Sequence, residues 1–121
     1  MYARIKIINQ GKITMKIIPI QDRLPDVEVE FKFNGTRRNP VASGYRPMHL
    51  IKDDYLTTGL HNYYKDGIVM PNESVLGTIT FITPEAYPNS LWIGKRINIQ
   101  EGEKIVGIAT VRKVLNPLLE K

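Results

Sequence analysis

The chain has 121 residues, 17 Lys and Arg against 12 Asp and Glu for a net charge of +5, and no cysteine. That length predicts one domain with a real core and has no room for a nucleotide-binding α/β domain plus a second complete domain. Without thiols there is no disulfide framework, thiolate zinc site or cysteine nucleophile, and 42% apolar with 24% charged residues is globular rather than disordered or collagen-like.

Apolar residues recur mostly at period two, in short runs broken by turn residues, which predicts an all-β chain. Ala3, Ile5 and Ile7 alternate with Arg4, Lys6 and Ile8, Asn9-Gln10-Gly11 supplies a turn, and Ile13, Met15 and Ile17 resume the pattern. The result is a candidate N-terminal hairpin, followed by a polar linker over Pro19–Pro25. Val27, Val29, Phe31 and Phe33 against Glu28, Glu30 and Lys32 make the cleanest half-buried strand. Asn34 to Pro47 reads as a long ordered loop, Met48 to Ile51 as the next strand, and Leu56 to Leu60 as another turn. Asp66-Gly67 marks a further turn. Val75 to Ile82 alternates strongly, Pro84 to Asn89 breaks it, and Leu91 to Ile99 is read as a strand. Glu101 to Lys104 is a hairpin turn and Ile105 to Leu115 the last strand. Short strands sharing one core predict a small closed antiparallel barrel, since closure removes exposed edges.

Catalytic signals are sparse, and no enzyme, cofactor, metal or nucleotide site is expected. No phosphate loop of the G-x-x-x-x-G-K-[ST] type occurs. His49 and His61 lie among apolar and aromatic neighbours and are read as structural, because metal sites gather several ligands. Asp53-Asp54 reads as a solvated loop pair, and Ser43 and Ser90 have no evident base partner. Met1 to Ile8 has no continuous apolar run, so a cytoplasmic location is the expectation, and Asn34-Gly35-Thr36 and Asn72-Glu73-Ser74 are read as chance turn sequences rather than glycosylation sites.

Ordered motifs carry the specific signal. Val27 to Phe31 is followed by Gly35-Thr36-Arg37-Arg38, Ser43-Gly44-Tyr45-Arg46-Pro47, Thr58-Gly59, Ile68-Val69-Met70-Pro71, and Ile99-Gln100-Glu101-Gly102-Glu103-Lys104-Ile105-Val106-Gly107. In this order and spacing, from about Val27 to Leu115, they resemble the C-terminal β-barrel domain (domain III) of translation elongation factor Tu and related translational GTPases. Asn72 replaces a family glycine, Met48 stands where the family usually has glutamine, and Gln100 and Lys52 where it has arginine.

The resemblance implies a barrel of about six strands over residues 26–117, an N-terminal extension over 1–25 and a tail over 118–121. It implies a stand-alone, non-catalytic binding module related to translation elongation factors, with nothing resembling their GTPase domain. The partners it implies are tRNA or another structured RNA, or a translation-factor protein, with no membrane. By position the RNA-facing candidates are Lys52, Thr58, Glu101 and Gly102, and the loop candidates are Arg37, Arg38, Tyr45 and Arg46. The alternative is a protein-interaction decoy or immunity-type partner that mimics elongation factor Tu. The extension carries Arg4, Lys6, Lys12 and Lys16 with no acid up to Ile20. It is expected to cap the barrel rather than serve as a basic arm, because its isoleucines need burial.

Overall fold

The computed structural model describes residues 4–8, 12–16 and 18–121, with side chains described from residue 18 onward. Strands β1 (Arg4–Ile8) and β2 (Lys12–Lys16) pair antiparallel as a two-stranded sheet of their own, from Arg4 opposite Lys16 to Ile8 opposite Lys12. The predicted turn at Asn9-Gln10-Gly11, and the burial proposed for the hairpin's apolar side chains, lie outside the described residues.

The body of the molecule is a closed antiparallel six-stranded barrel. Its strands are β3 (Val27–Phe33), β5 (Met48–Lys52), β6 (Tyr55–Tyr63), β8 (Ser74–Phe81), β9 (Arg96–Glu101) and β10 (Lys104–Val114). Around the wall they run β10-β3-β8-β6-β5-β9, and β9 closes onto β10. Two short strands, β4 (Val41–Ala42) and β7 (Ile68–Val69), pair outside the barrel and tie down its long loops. The period-two pattern sets the register: Val27, Val29, Phe31 and Phe33 are buried while Glu30 and Lys32 face water. Register shifts in β10 and in the β5–β6 pairing mark bulges, the local bends that let a short sheet curl shut.

The interior is filled by Phe31, Ile79, Phe81, Ile97, Ile99, Ala109 and Val111, all fully buried. One end is closed by Tyr87, Leu91 and Leu119, where the final residues strap the 89–91 segment through Asn89 N–H to Leu118 O at 3.0 Å and Ser90 N–H to Leu119 O at 2.9 Å. The other end is closed by Phe33, Val41, Tyr63 and Val69.

Two sequence expectations are corrected. Leu56 to Leu60 is not a turn but the middle of β6; the chain reverses at Asp53-Asp54 instead. Gly59 is needed there for space, since a Cβ would stand 2.7 Å from Ile79 Cγ2 and 2.8 Å from His49 Cε1. The strand expected from Leu91 starts only at Arg96, because residues 92–95 form a turn closed by Lys95 N–H to Trp92 O at 3.1 Å.

The 19–25 linker is anchored rather than loose. A short 3-10 turn, Ile20–Asp22, buries Ile20. Arg23 donates from Nε to Ile18 O at 3.0 Å and from Nη1 to Ile82 O at 3.1 Å. Asp26 follows, 3% exposed, and joins both ends of the barrel sequence. Its Oδ2 accepts from Phe81 N–H at 2.7 Å, its Oδ1 accepts from Asn116 Nδ2 at 2.9 Å, and its carbonyl accepts from Leu115 and Asn116 N–H. Asp26→Ala leaves the buried Phe81 N–H and the part-buried Asn116 amide without this acceptor, so a loss of about 2–3 kcal/mol is expected in urea unfolding. An unchanged midpoint would show that the carboxylate does no structural work.

Candidate nucleic-acid interface

Motif residues distant in sequence meet at the end of the barrel where β9 turns into β10. Arg37 Nε lies 2.7 Å from Glu101 Oε2, and the Tyr45 hydroxyl donates to the same oxygen. Arg37 Nη1 also reaches the carbonyls of Asn39 at 2.5 Å and Pro40 at 3.1 Å. Its guanidinium carbon stands 5.1 Å from the Tyr45 ring centre, within cation–π range. One carboxylate therefore gathers the Gly-Thr-Arg-Arg loop, the Ser-Gly-Tyr-Arg-Pro loop and the Glu101-Gly102 hairpin.

The electrostatics follow from this geometry. The Tyr45 hydroxyl, then Arg37, holds the Glu101 carboxyl below its ordinary range. Burial, then the Glu101 carboxylate, pushes the Tyr45 phenol well up, and the hydrogen bond to Glu101 raises Arg37. With both side chains partly exposed, the Arg37–Glu101 pair contributes order to the loops more than global stability.

Beside it lies a recess of about 230 Å³ lined by Thr36, Arg37, Arg38, Asn39, Glu101, Lys104 and Val106. Arg37 is committed to Glu101, whereas Arg38 and Lys104 are exposed and have no ion pair among the described residues. Arg38 and Lys104, the latter within electrostatic reach of the Glu101 carboxylate, line this polar concavity with a threonine hydroxyl and an asparagine amide and are the groups an anionic oxygen would meet there.

The residues expected to face RNA divide into two places. Thr58 and Gln100 both lie opposite Met48, so Thr58, Met48 and Gln100 form one outward row across β6, β5 and β9. Thr58 Oγ1 donates to Met48 Sδ at 3.3 Å, and Gln100 Nε2 donates to Gly102 O at 3.4 Å. Thr58, Glu101 and Gly102 thus share one end of the wall. Lys52 does not join them: it stands at the far end of β5, opposite Tyr55. Arg46 also lies apart from Arg37, 3.4 Å from Gln21 Oε1, in a polar groove with Ser43, Asn62, Thr78 and Thr80.

Inside the barrel the two histidines form a chain that sequence spacing did not reveal as a pair. His49 Nδ1 is 3.2 Å from Thr57 O, His49 Nε2 is 2.7 Å from His61 Nε2, and His61 Nδ1 is 2.8 Å from Tyr63 Oη. A carbonyl only accepts, so His49 carries its proton on Nδ1 and its Nε2 accepts from His61. His61 Nδ1 then accepts from the Tyr63 hydroxyl. Both positions share the inward phase of Ile51, Gly59 and Tyr63, which is the signal that places them in the core. Lys104, and the Trp92–Lys95 turn described below, were not singled out from sequence either.

Among the described residues no group of three or more His, Cys, Asp or Glu side chains is placed to hold a metal ion. No helix among them is long and apolar enough to cross a membrane. The chain matches no protein-family model.

Proposed function

We propose that this chain is a non-catalytic binding module, related to the third domain of elongation factor Tu-type translational GTPases, that grips the sugar–phosphate backbone of a structured RNA such as tRNA. The observation carrying this reading is the convergence of Arg37, Tyr45 and Glu101, one from each of three separate motifs, beside the recess presenting Arg38 and Lys104. The Thr58–Gln100 row and the Gly102 carbonyl extend that end with neutral groups that suit ribose hydroxyls. Contacts of this kind position a backbone without reading sequence.

The test is a titration of unmodified tRNA by fluorescence anisotropy at several salt concentrations. Binding at low salt is expected, with log affinity falling against log salt at a slope of about −2 or steeper as at least two phosphates are neutralised. A second reading, a protein-interaction module that mimics elongation factor Tu, is favoured by apolar side chains left in water, among them Leu24, Ile68, Met70 and Ile93. The same titration separates them: no tRNA affinity at low salt removes the RNA reading and leaves the protein one.

A further inference from the structure

The far end of β9 carries a second surface of different chemistry. Residues 92–95 form a tight turn in which Gly94 takes φ +95°, a backbone conformation costly for other residues. Four hydrogen bonds hold it. Gly94 N–H donates to Val111 O at 2.8 Å, and Val111 N–H returns a bond to Lys95 O at 2.8 Å. Lys95 Nζ donates to Ile51 O at 2.5 Å and to Ser90 O at 2.8 Å, fastening the turn to the end of β5.

This rigid turn holds apolar side chains out in water. Ile93 at its tip is 71% exposed and Trp92 is 44% exposed, with Tyr55 and Leu56 partly exposed at the start of β6. Two ammonium groups stand over the indole, and a third, Lys52, follows Ile51, whose carbonyl binds Lys95. Lys95 Nζ and Lys121 Nζ lie 4.7 and 5.0 Å from the Trp92 ring centre. The charges of Lys121 and Lys52, after burial, lower the Lys95 pKa, so both charged neighbours it feels are cations. Asp53, Asp54 and Glu120 are next in sequence to these lysines, yet none forms an ion pair with them among the described residues.

We propose that this end of the barrel docks an acidic segment of a partner protein, with carboxylates on Lys52, Lys95 and Lys121 and an apolar side chain against Trp92 and Ile93. Like charges packed around an exposed indole are relieved by a carboxylate-bearing partner, and aromatic anchors of this kind carry much of the energy at protein interfaces. The turn is already ordered, so little conformational entropy is lost on docking. Nucleic acid fits less well. Ile93, the most exposed residue of the turn, offers a base no ring to stack on but suits an apolar side chain. The surface lies at the opposite end of β9 from the recess at Arg38 and Lys104 and does not depend on RNA binding there.

Trp92 is the one tryptophan in the chain, so its emission reports on this site alone. The probe is a synthetic peptide alternating Glu with Leu and Phe. A saturable change in Trp92 emission is expected, weakened by salt, and about tenfold weaker in Lys52→Gln/Lys121→Gln and in Ile93→Ser, neither of which removes a bond holding the turn. Arg38→Gln/Lys104→Gln should leave the response intact. No response at millimolar peptide, an equal response to the same peptide with Lys in place of Glu, or a larger response to oligouridine would overturn the proposal.

Discussion

Lowering the pH from 6.5 to 5 is expected to cost the barrel about 1.5 kcal/mol for each of its two buried imidazoles. In the unfolded chain His49 and His61 take up protons below about pH 6.5. Folded His49 is held down to about 4, chiefly by burial, and His61 well below its ordinary value, by burial and then by His49. Between these limits the unfolded state binds more protons than the folded one. Stability is therefore fully present above about 6.5 and is lost as the pH falls toward the folded values. The geometry supplies the reason: a proton added to His49 goes to Nε2 and sets two donors facing each other at 2.7 Å, while one added to His61 goes to Nδ1 and breaks the bond it accepts from the Tyr63 hydroxyl. Glu73 and Glu101 do not obscure the effect. Both are held below the ordinary value of 4.5, so their contribution is lost only under acid conditions below this window. Urea unfolding at pH 7, 6, 5.5 and 5 measures it, and a flat stability across that range would mean the imidazoles are protonated without penalty. At pH 7, His61→Ala should itself cost about 3–5 kcal/mol, because it opens a core cavity and strips His49 Nε2 and the Tyr63 hydroxyl of their partners.

Gly77→Ala is expected to be at least as damaging, at about 3 kcal/mol or more, the upper end for overpacking. An added Cβ would stand 2.3 Å from the Asn62 carbonyl oxygen, 3.0 Å from Phe31 Cε2 and 3.0 Å from Tyr63 Cα. Two of those three atoms are backbone, and they are held by the β6–β8 ladder in which Tyr63 faces Gly77 and Asn62 faces Thr78. Neither strand can retreat without opening the barrel, since β8 also pairs with β3 through Gly77 opposite Val29. Thermal unfolding of Gly77→Ala beside an exposed control such as Ser74→Ala measures the difference. Equal melting temperatures would contradict so close a strand approach.

Where one face of a strand is buried, its sequence is legible. Val27 to Phe33 states its inward residues by alternation, whereas the alternating sequence of Ser74 to Phe81 ends in a stretch, Gly77 to Phe81, that is buried throughout. Where the barrel needs space rather than an apolar side chain, the same signal misleads. Thr58-Gly59 reads as a turn, although Gly59 is a strand residue kept small so that Ile79 and His49 can fill the interior. Trp92 and Ile93 read as strand because they are apolar, but they ride on a turn whose decisive features are Gly94 and the reach of the Lys95 ammonium group to Ile51 and Ser90.

The candidate interface was legible in parts. Arg37, Tyr45 and Glu101 could be named singly from their motifs, but their meeting on one carboxylate oxygen depends on loop geometry between residues 56 and 64 positions apart. Lys52 was grouped with Thr58 by position alone. Their separation comes from the length of β5, which places Met48 beside Thr58 and carries Lys52 to the opposite end of the wall. The His49–His61 contact likewise needs two strands in register, which no local spacing encodes.

The central claim, an RNA-backbone grip at the Glu101 end of the barrel, is tested most directly by tRNA affinity at low salt in paired variants. Arg38→Gln/Lys104→Gln should weaken binding about tenfold and flatten the salt slope by about 1–2, while Lys52→Gln/Lys121→Gln, at the other end, should leave both close to wild type. Binding that survives loss of Arg38 and Lys104, or that falls only when Lys52 and Lys121 are replaced, would contradict the account.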